Sequence, residues 1–336
     1  MSLFLLFTAV IMTSFFLTRY IIYYAQSTQI IDHPNHRSFH DFPVPRGGGL
    51  SFVLSTLLVL PIMYFSGYNL PSGTIVFVAL ASLIAAIGLL DDYRNLSAGT
   101  RIVLYGFISA LELYHLGGVP TGYLSGWQIH ADWIIQLIGW IYLLWMINLY
   151  NFMDGINGLA AFEAICVCMG AAGLYLFTGH AELIYLPVII AASVIGFVAW
   201  NFPTAKIFMG DAGSCYLGLI LAGLSIQAAW AMPNLFWSWL ILLGVFIVDS
   251  SYTLMCRTFQ GLKIHQAHRS HAYQNAATLY GQQRVTITVV VINLVWLLPI
   301  AIFVGMKSFN PFLGVFLAYT PIFFMAIYFR AGINSP

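Results

Sequence analysis

Charge is scarce in this sequence. Its 336 residues include 12 Lys or Arg and 11 Asp or Glu, so charged side chains make up 7% of the chain, against about 25% in typical soluble domains. Apolar residues make up 60%, and the mean hydropathy is +0.87. This composition excludes a water-soluble enzyme and indicates a protein embedded in a lipid bilayer.

Other features are also scarce. The formal net charge is only +1, which excludes the basic surface that nucleic-acid binding requires. Long polar and low-complexity stretches are lacking, so the chain is neither disordered nor fibrous. The cysteines lie in apolar runs, where we expect packing residues rather than metal ligands or disulfides. They are Cys166, Cys168, Cys215 and Cys256.

Apolar runs of membrane-spanning length dominate the chain. Runs near 20 residues suit helices, which satisfy their own backbone hydrogen bonds in hydrocarbon, better than barrel strands. The sequence therefore predicts an all-α polytopic membrane protein of about eleven transmembrane helices, one domain over residues 1–336. The predicted spans cover residues 2–24, 48–66, 73–90, 101–117, 131–148, 157–178, 184–200, 213–230, 235–257, 285–306 and 310–330.

Two segments need a separate interpretation. We take the first apolar run as a retained span, because it leads into Gln26, Ser27 and Thr28 rather than a small-residue cleavage site. Residues 117–132 are rich in Gly and Pro with alternating apolar residues, which predicts a short hairpin between the fourth and fifth spans.

The polar loops share one side of the membrane. They follow spans 1, 3, 5, 7 and 9, and an odd number of crossings separates the N-terminal side from each of them. This side holds every basic residue except Lys307. By the positive-inside rule it is therefore cytoplasmic, which puts the N-terminus outside and the C-terminus inside. These loops are residues 25–47, 91–100, 149–156, 201–212 and 258–284.

Adjacent carboxylates end the third span. Asp91 and Asp92 follow an apolar run, where their mutual repulsion must be relieved by a cation or a proton. This favours a functional site. A solvated helix end balanced by Arg94 and Arg101 is the equally weighted alternative.

Two loops combine acids or amides with glycines. Residues 151–159 read NFMDGINGL; carboxylate and amide oxygens suit a hard cation such as Mg²⁺, and the glycines allow close approach of a nucleotide. Residues 208–214 read FMGDAGS before a helix start, a place that favours phosphate. The alternatives are a capped turn in the first loop and Asp211 as a simple helix cap in the second.

Two more loops carry basic groups. His265, His268, Arg269 and His271 lie close to Lys263 and supply donors suited to a diphosphate. A solvated basic loop and a zinc site are the alternatives, and zinc is disfavoured because no thiolate is nearby. The first loop presents Arg and His donors before the glycines of PRGGG at residues 45–49, which could face phosphate or simply begin a helix.

Several acids lie within the spans. Asp249 is an intramembrane candidate for function, but we favour it as the buried partner of Arg257, eight residues later, or of another polar side chain that fixes helix packing. Glu112 is expected at the opposite membrane interface, as are His115, His130, Asp132, His180 and Glu182, and Glu163 has no assigned role.

Taken together, these loops resemble one family, the polyprenyl-phosphate N-acetylhexosamine-1-phosphate transferases of glycosyltransferase 4 type, relatives of phospho-MurNAc-pentapeptide transferase. The resemblance covers residues 32–271, with its motifs in the family's order. The wording RS at residues 37–38 and AHRSHAY at residues 267–273 resembles the branch that initiates O-antigen or other surface polysaccharides. The motifs are DHPNHR at 32–37 with His40, PRGGG at 45–49, DD at 91–92, NFMDGINGL at 151–159 and FMGDAGS at 208–214.

The resemblance implies a bacterial inner-membrane enzyme that moves an N-acetylhexosamine 1-phosphate from a UDP-sugar to undecaprenyl phosphate and releases UMP. It implies that Asp211 and Asn151 hold Mg²⁺, or Mn²⁺ in its place, and that Asp91 or Asp92 orients or deprotonates the lipid phosphate. It further implies substrate contacts by Arg46, Asn151, Asp154, Gly155, Asn157, Phe208, His268, Arg269 and His271, with Arg37 nearby.

The sequence departs from the family pattern at one residue and in one loop. Asn157 stands where many relatives have Asp, and the last loop lacks adjacent histidines, which leaves the division of roles among His265, His268 and His271 open.

Direct displacement by the lipid phosphate is preferred to an aspartyl-phosphate intermediate. A lipid-linked-sugar transporter or flippase is the rival from another class, although transporters place polar sites at mid-membrane.

Two other rivals are weaker. A CDP-alcohol phosphatidyltransferase would need Ala and Arg where the chain has Gly158 and Leu159, and a scaffold would leave the polar loops unexplained. The sequence does not fix which sugar is moved or the oligomeric state, and a homodimer is one assembly consistent with it.

Overall fold

The computed structural model describes residues 3–34, 39–68, 70–94, 96–120, 132–262 and 268–333. Long helices joined by short loops make up most of this part of the chain. The helices are α1 (Leu3–Ser27), α2 (Leu50–Phe65), α3 (Thr74–Arg94), α4 (Ala98–His115), α5 (Asp132–Met153), α6 (Leu159–Thr178), α7 (Tyr185–Asn201), α8 (Gly210–Ala231), α9 (Pro233–Leu242), α10 (Gly244–Phe259), α11 (Ala272–Tyr280), α12 (Gln282–Ile292), α13 (Leu298–Gly305) and α14 (Pro311–Tyr328).

These helices match the predicted spans. In the described ranges, eight helices are long and apolar enough to cross a membrane. One of these is continuous through α12, a π-helical stretch (Asn293–Leu297) and α13. If the bent pair α9 and α10 is counted as one span, the number is nine. The helix α2 has only 16 residues, and α4 is not among the eight. The prediction of an all-α polytopic membrane protein is confirmed. The predicted hairpin falls largely on residues 121–131, outside the described residues.

The ninth predicted span is broken. Its two halves, α9 and α10, meet at an angle of 69°. In a continuous helix the carbonyl of Leu240 would accept the N–H of Gly244; here the hydroxyl of Tyr319 donates to that carbonyl at 2.7 Å. A side chain that replaces a backbone donor is a recognised cause of a kink. The segment 258–284, predicted to be a loop, also contains a helix, α11.

Two acids within the predicted spans are buried inside the bundle. Glu112, in the last turn of α4, is fully buried because α4 turns that face toward the protein interior. Glu163 in α6 is 1% exposed, and the amide of Asn293, the first residue of the π-helical stretch, donates to it at 2.6 Å. Acids within membrane spans usually face the interior of the bundle and pair with another polar group, as Glu163 does here.

The helix α8 occupies the centre of the bundle. Of its apolar window, 94% of the residues are buried, against 22% in the peripheral helices α1 and α14. It packs against α3 and α5 along their lengths. The first turn of α8 is therefore surrounded by the ends of the neighbouring helices, and this position determines where the polar loops meet.

A small hairpin closes the first loop. Strand β1 (Ile31–Asp32) pairs antiparallel with β2 (Val44–Pro45), with Ile31 opposite Pro45. The N–H of Phe208, in the loop before α8, donates to the carbonyl of Pro45 at 2.8 Å. The hairpin thus delivers the following residue, Arg46, to the start of α8.

Two glycines permit this crowding. A Cβ on Gly49 would lie 2.2 Å from the Cα of Gly213, and a Cβ on Gly88 would lie 2.5 Å from the carbonyl carbon and oxygen of Asp211. Only a hydrogen fits at either position. Gly88 therefore lets the end of α3 touch the start of α8.

We predict that Gly88→Ala lowers the free energy of unfolding by roughly 1–3 kcal/mol, the usual cost of an overpacked core. The matched control is Gly173→Ala in α6, where an added Cβ meets nothing within 4 Å; better helix propensity should make it neutral or stabilising by about 0.5–1 kcal/mol. Thermal unfolding in detergent measures both. Equal effects of the two substitutions would contradict the packing explanation.

Candidate functional site

The end of α3 supplies a pair of acids with different partners. Asp91 accepts the backbone N–H of Leu96 and the Nη1 of Arg101, each at 2.6 Å. Asp92 has a side chain only 1% exposed and accepts the backbone N–H of Asp211 at 3.2 Å. Asp91 therefore anchors its own loop, whereas Asp92 ties α3 to the first turn of α8 and satisfies one of the free amides there.

Asp211 joins the two arginines. Its carboxylate lies 3.2 Å from the Nη1 of Arg101 and 3.9 Å from the Nη2 of Arg46. Its side chain is 14% exposed, the most accessible of the three carboxylates. Asn151 in α5 hydrogen-bonds the hydroxyl of Ser214 at 3.0 Å and also interacts with Asp211.

The cluster carries an excess of negative charge. Asp91, Asp92, Asp154 and Asp211 interact with two guanidinium groups, those of Arg46 and Arg101, so these six groups sum to −2 when all are ionised. Burial by itself lowers the pKa of Arg46, but Asp92 and Asp211 outweigh this and raise it. The excess charge suits a bound divalent cation.

The neighbouring carboxylates affect the pKa of Asp154. It lies in the loop between α5 and α6, where burial, with added repulsion from Asp211 and Asp92, raises its pKa well above the ordinary value despite the opposing effect of Arg46. An uncharged Asp154 is therefore favoured until a cation enters the cluster.

The rest of this loop packs against later helices. Gly155 lies against the hydroxyl of Tyr273, which a Cβ would approach within 2.1 Å. The amide of Asn157 donates to the carbonyl of Pro203 at 3.2 Å, and its backbone N–H donates to Gln282 at 3.1 Å. In the structure, Asn157 thus joins two loops and α12, outside the carboxylate cluster.

Phe208, in the fourth polar loop, contacts the first loop and the start of α2. Its carbonyl accepts the N–H of Gly48 at 2.9 Å, and its ring meets the ring of His40 edge-on at 4.9 Å. His40 in turn lies 3.4 Å from Asp32. The rings of His40 and Phe208 thus adjoin the backbone that carries Arg46. Arg37 lies outside the described residues.

The last loop forms a stack of rings beside α5. The ring of His271 stacks on those of Phe152 and His268, with centroids 6.1 and 5.0 Å apart. Arg269 lies over the ring of Phe39 at 3.6 Å and donates to Thr278 at 3.0 Å. Two of the predicted anion-binding residues, His268 and His271, therefore contact Phe152 in the loop that carries Asp154, whereas Arg269 contacts the first loop and α11. Lys263 and His265 lie outside the described residues.

Asp249 has a buried polar partner, as expected, but of the two kinds of partner that were expected it is not Arg257. Asp249 instead accepts a hydrogen bond from His271 at 3.3 Å, and Arg257 donates to Ser270 at 3.4 Å. The bend before α10 and the turn into α11 bring His271 to Asp249, a contact between residues 22 positions apart that helical spacing does not encode.

Sequence reasoning also undervalued Arg101, which it named only as a counter-charge at a solvated helix end. The structure makes Arg101 the bridge between Asp91 and Asp211. Its position one turn into α4 could have indicated this role. An arginine at that position must pair with a nearby acid or face lipid.

The donor set of the cluster fits Mg²⁺. Carboxylate oxygens of Asp211 and Asp92 and the amide of Asn151 are the hard ligands this ion prefers, and the charge excess calls for a cation. Within the described ranges, no three His, Cys, Asp or Glu side chains are arranged as a metal site; arginine nitrogens lie between the carboxylates instead. Residues that could hold the ion are therefore present at the start of α8.

Comparisons with known proteins identify a family. The model of glycosyl transferase family 4 matches residues 74–229. The chain is 27% identical over 307 residues to a probable undecaprenyl-phosphate N-acetylglucosaminyl 1-phosphate transferase of Bacillus subtilis, covering 88% of this chain and 83% of the relative. It is 31% identical over 320 residues to a decaprenyl-phosphate N-acetylglucosaminephosphotransferase of Mycolicibacterium smegmatis, covering 81% and 77%.

A phospho-N-acetylmuramoyl-pentapeptide-transferase of Streptococcus sanguinis is 27% identical over 232 residues, covering 64% of this chain and 68% of the relative. Fold and site define a multi-pass α-helical membrane protein with an acidic, arginine-bridged cluster at its helix ends. The chain belongs to glycosyl transferase family 4, and the predicted family is confirmed.

We predict that Asp154→Asn stabilises the protein without metal near pH 8. A raised pKa means that the folded state keeps a proton which the unfolded state has lost, so the parent loses stability as pH rises from the ordinary Asp value toward the raised value. The asparagine variant avoids this loss. Thermal unfolding in EDTA at pH 4 and pH 8 tests it: the difference should be present at pH 8 and vanish in acid, and a pH-independent difference would contradict it.

Proposed function

We propose that this protein transfers an N-acetylhexosamine 1-phosphate from a UDP-sugar to undecaprenyl phosphate, releasing UMP and forming a lipid-linked diphospho-sugar. The names of the relatives support a polyprenyl-phosphate acceptor and an N-acetylglucosamine 1-phosphate group. The observation that carries the proposal is the cluster of Asp91, Asp92 and Asp211 bridged by Arg46 and Arg101 at the ends of membrane helices.

In the preferred reaction, a phosphate oxygen of the lipid attacks the sugar-bearing phosphorus of the UDP-sugar. The bond between that phosphorus and the oxygen bridging the two phosphates breaks. UMP leaves and keeps the bridging oxygen. Bringing anionic reactants together makes electrostatic stabilisation and positioning the main contributions to catalysis. Arg46 and Arg101 supply fixed positive charge at this place, and the helix ends place the site where a lipid headgroup can reach it.

Asp211, with Asn151, would hold Mg²⁺ or Mn²⁺, which when bound would screen the phosphates and polarise them as a Lewis acid. Asp211 is the most exposed of the three carboxylates, which favours it for this role. Asp92 would position Asp211, since it accepts the backbone N–H of that residue.

Asp91 is then the better candidate for orienting the lipid phosphate. Its carboxylate shares Arg101 with Asp211, so a phosphate that binds Arg101 would arrive beside it. Asp92, 1% exposed, is less able to meet a substrate atom.

The other predicted residues would bind the nucleotide and diphosphate. Asp154 and Gly155 would face the uridine, with Phe208 and Asn157 supporting that pocket. His268, Arg269 and His271 would contact the diphosphate. The two histidines lie against Phe152, two residues before Asp154, and Arg269 adjoins His268 in the chain. Their polar hydrogens match phosphate oxygens.

We also propose a bacterial inner-membrane location with the site on the cytoplasmic side, since the basic residues gather on the face of the polar loops. A role in starting O-antigen or related surface polysaccharides rests on the AHRSHAY motif, residues 267–273. The transporter alternative is less well supported, because the ionisable cluster lies at helix ends rather than at mid-membrane, where transporters place their binding sites.

We predict that Asp211→Asn abolishes UMP release, by about 100-fold or more, in protein that still folds. The assay combines purified protein, undecaprenyl phosphate, Mg²⁺ and a panel of UDP-N-acetyl sugars. The matched control is Asp132→Asn, the same change in the first turn of another membrane helix, which should keep parent activity. Parent-like turnover by Asp211→Asn would remove the metal assignment, and no UMP release by the parent with any sugar would remove the proposed reaction.

Direct displacement makes a separate prediction. Labelled UMP should not exchange into UDP-sugar when the lipid acceptor is left out, because no enzyme-bound sugar phosphate forms. Exchange followed by chromatography, with Asp211→Asn as the inactive blank, measures this. Label scrambling without lipid would instead support an aspartyl-phosphate intermediate.

A further inference from the structure

Asp249 in α10 is a buried carboxylate on which several donors converge. Its side chain is 5% exposed. One oxygen, Oδ1, accepts from the Nδ1 of His271 at 3.3 Å, the backbone N–H of Ala272 at 2.9 Å and the hydroxyl of Thr253 at 3.1 Å. The other, Oδ2, accepts the backbone N–H of Tyr273 at 2.9 Å.

The two backbone donors belong to the first turn of α11. The N–H groups of a first turn lack partners within their own helix, and a carboxylate is a favourable partner for them. Asp249 therefore fixes the start of α11 against α10. His271, the residue immediately before α11, is held at the same point.

This contact sets the orientation of an imidazole ring. Because a carboxylate only accepts, the Nδ1 of His271 must carry the proton that it donates to Asp249. The opposite nitrogen, Nε2, is then directed away from Asp249. Such a partner commonly determines both the tautomer and the ring angle of a functional histidine.

The ring of His271 is stacked against three other rings. The plane of His271 lies 26° from that of His268, 30° from that of Phe152 and 29° from that of Tyr273. His271 is 2% exposed, whereas the ring of His268 is part-buried. The buried ring thus serves as a platform for the more accessible one, beside the loop of Asp154.

We infer that Asp249 is a positioning residue of the transferase: it fixes the Nδ1-protonated tautomer and ring plane of His271, and through that ring the place of His268 at the diphosphate. This inference rests on the proposed function. It differs from a simple packing role, because it requires the effect of Asp249 on turnover to pass through His271.

A double-mutant cycle separates these two roles. Asp249→Asn removes the charge and one acceptor oxygen, and we expect it to lower kcat/KM by about 10–100-fold, the usual range for a partner that orients a functional group. His271→Gln should lose at least as much. The double variant should then be no worse than His271→Gln alone. Multiplied losses would overturn the inference and leave Asp249 with a helix-capping role.

The matched control is Glu163→Gln. It makes the same acid-to-amide change at another buried membrane-helix residue, which accepts a hydrogen bond from the amide of Asn293. It should retain parent kcat and KM. A loss equal to that of Asp249→Asn would show that any buried acid in this bundle has the same effect, which would contradict a specific role.

A spectroscopic measurement gives a readout that does not depend on activity. In protein with ¹⁵N-labelled histidine, the imidazole signal missing from His271→Gln identifies His271. In the parent it should show protonation at Nδ1, and in Asp249→Asn it should move toward mixed tautomers. An Nε2-protonated ring in the parent would overturn the inference even if transfer is observed, whereas correct NMR signals without any transfer would instead count against the proposed function.

Discussion

The site depends on one constraint: carboxylates placed at the ends of buried helices need compensating charge or hydrogen-bond donors. Asp92 meets this constraint with the backbone N–H of Asp211, Asp91 with Arg101, and Asp211 with both arginines. Removing a charge from water is costly unless it is paired. The positions of α3, α4, α8 and the first loop are therefore coupled through these few contacts.

Close backbone approach makes the coupling possible. Gly88 lets α3 reach the carbonyl of Asp211, and Gly49 lets the first loop reach Gly213. Larger side chains would separate the acids and weaken each ion pair, since the Coulomb energy falls with distance. The central place of α8 then means that each polar loop adds its groups to the same first turn.

A second polar centre lies beside the first and has a different character. The carboxylate cluster has excess negative charge, whereas the stack of His268, His271 and Phe152 is aromatic and is anchored by the single acid Asp249. The loop from Asn151 to Asp154 connects the two. A nucleotide diphosphate with a bound cation would present complementary groups to both centres, which is why their adjacency supports transfer chemistry better than either centre does alone.

The membrane class and the helices follow from the sequence alone, because hydrocarbon imposes a length and an apolar composition that can be counted along the chain. The motif order likewise identified the family and the acids Asp91, Asp92 and Asp211 as candidates. Tertiary structure decided which groups pair. Arg101 bridges two acids, Asp249 bonds His271 instead of Arg257, and Glu112 is buried. These outcomes depend on helix rotation, on the 69° bend between α9 and α10 and on glycine contacts between distant segments, and no local periodicity encodes such quantities.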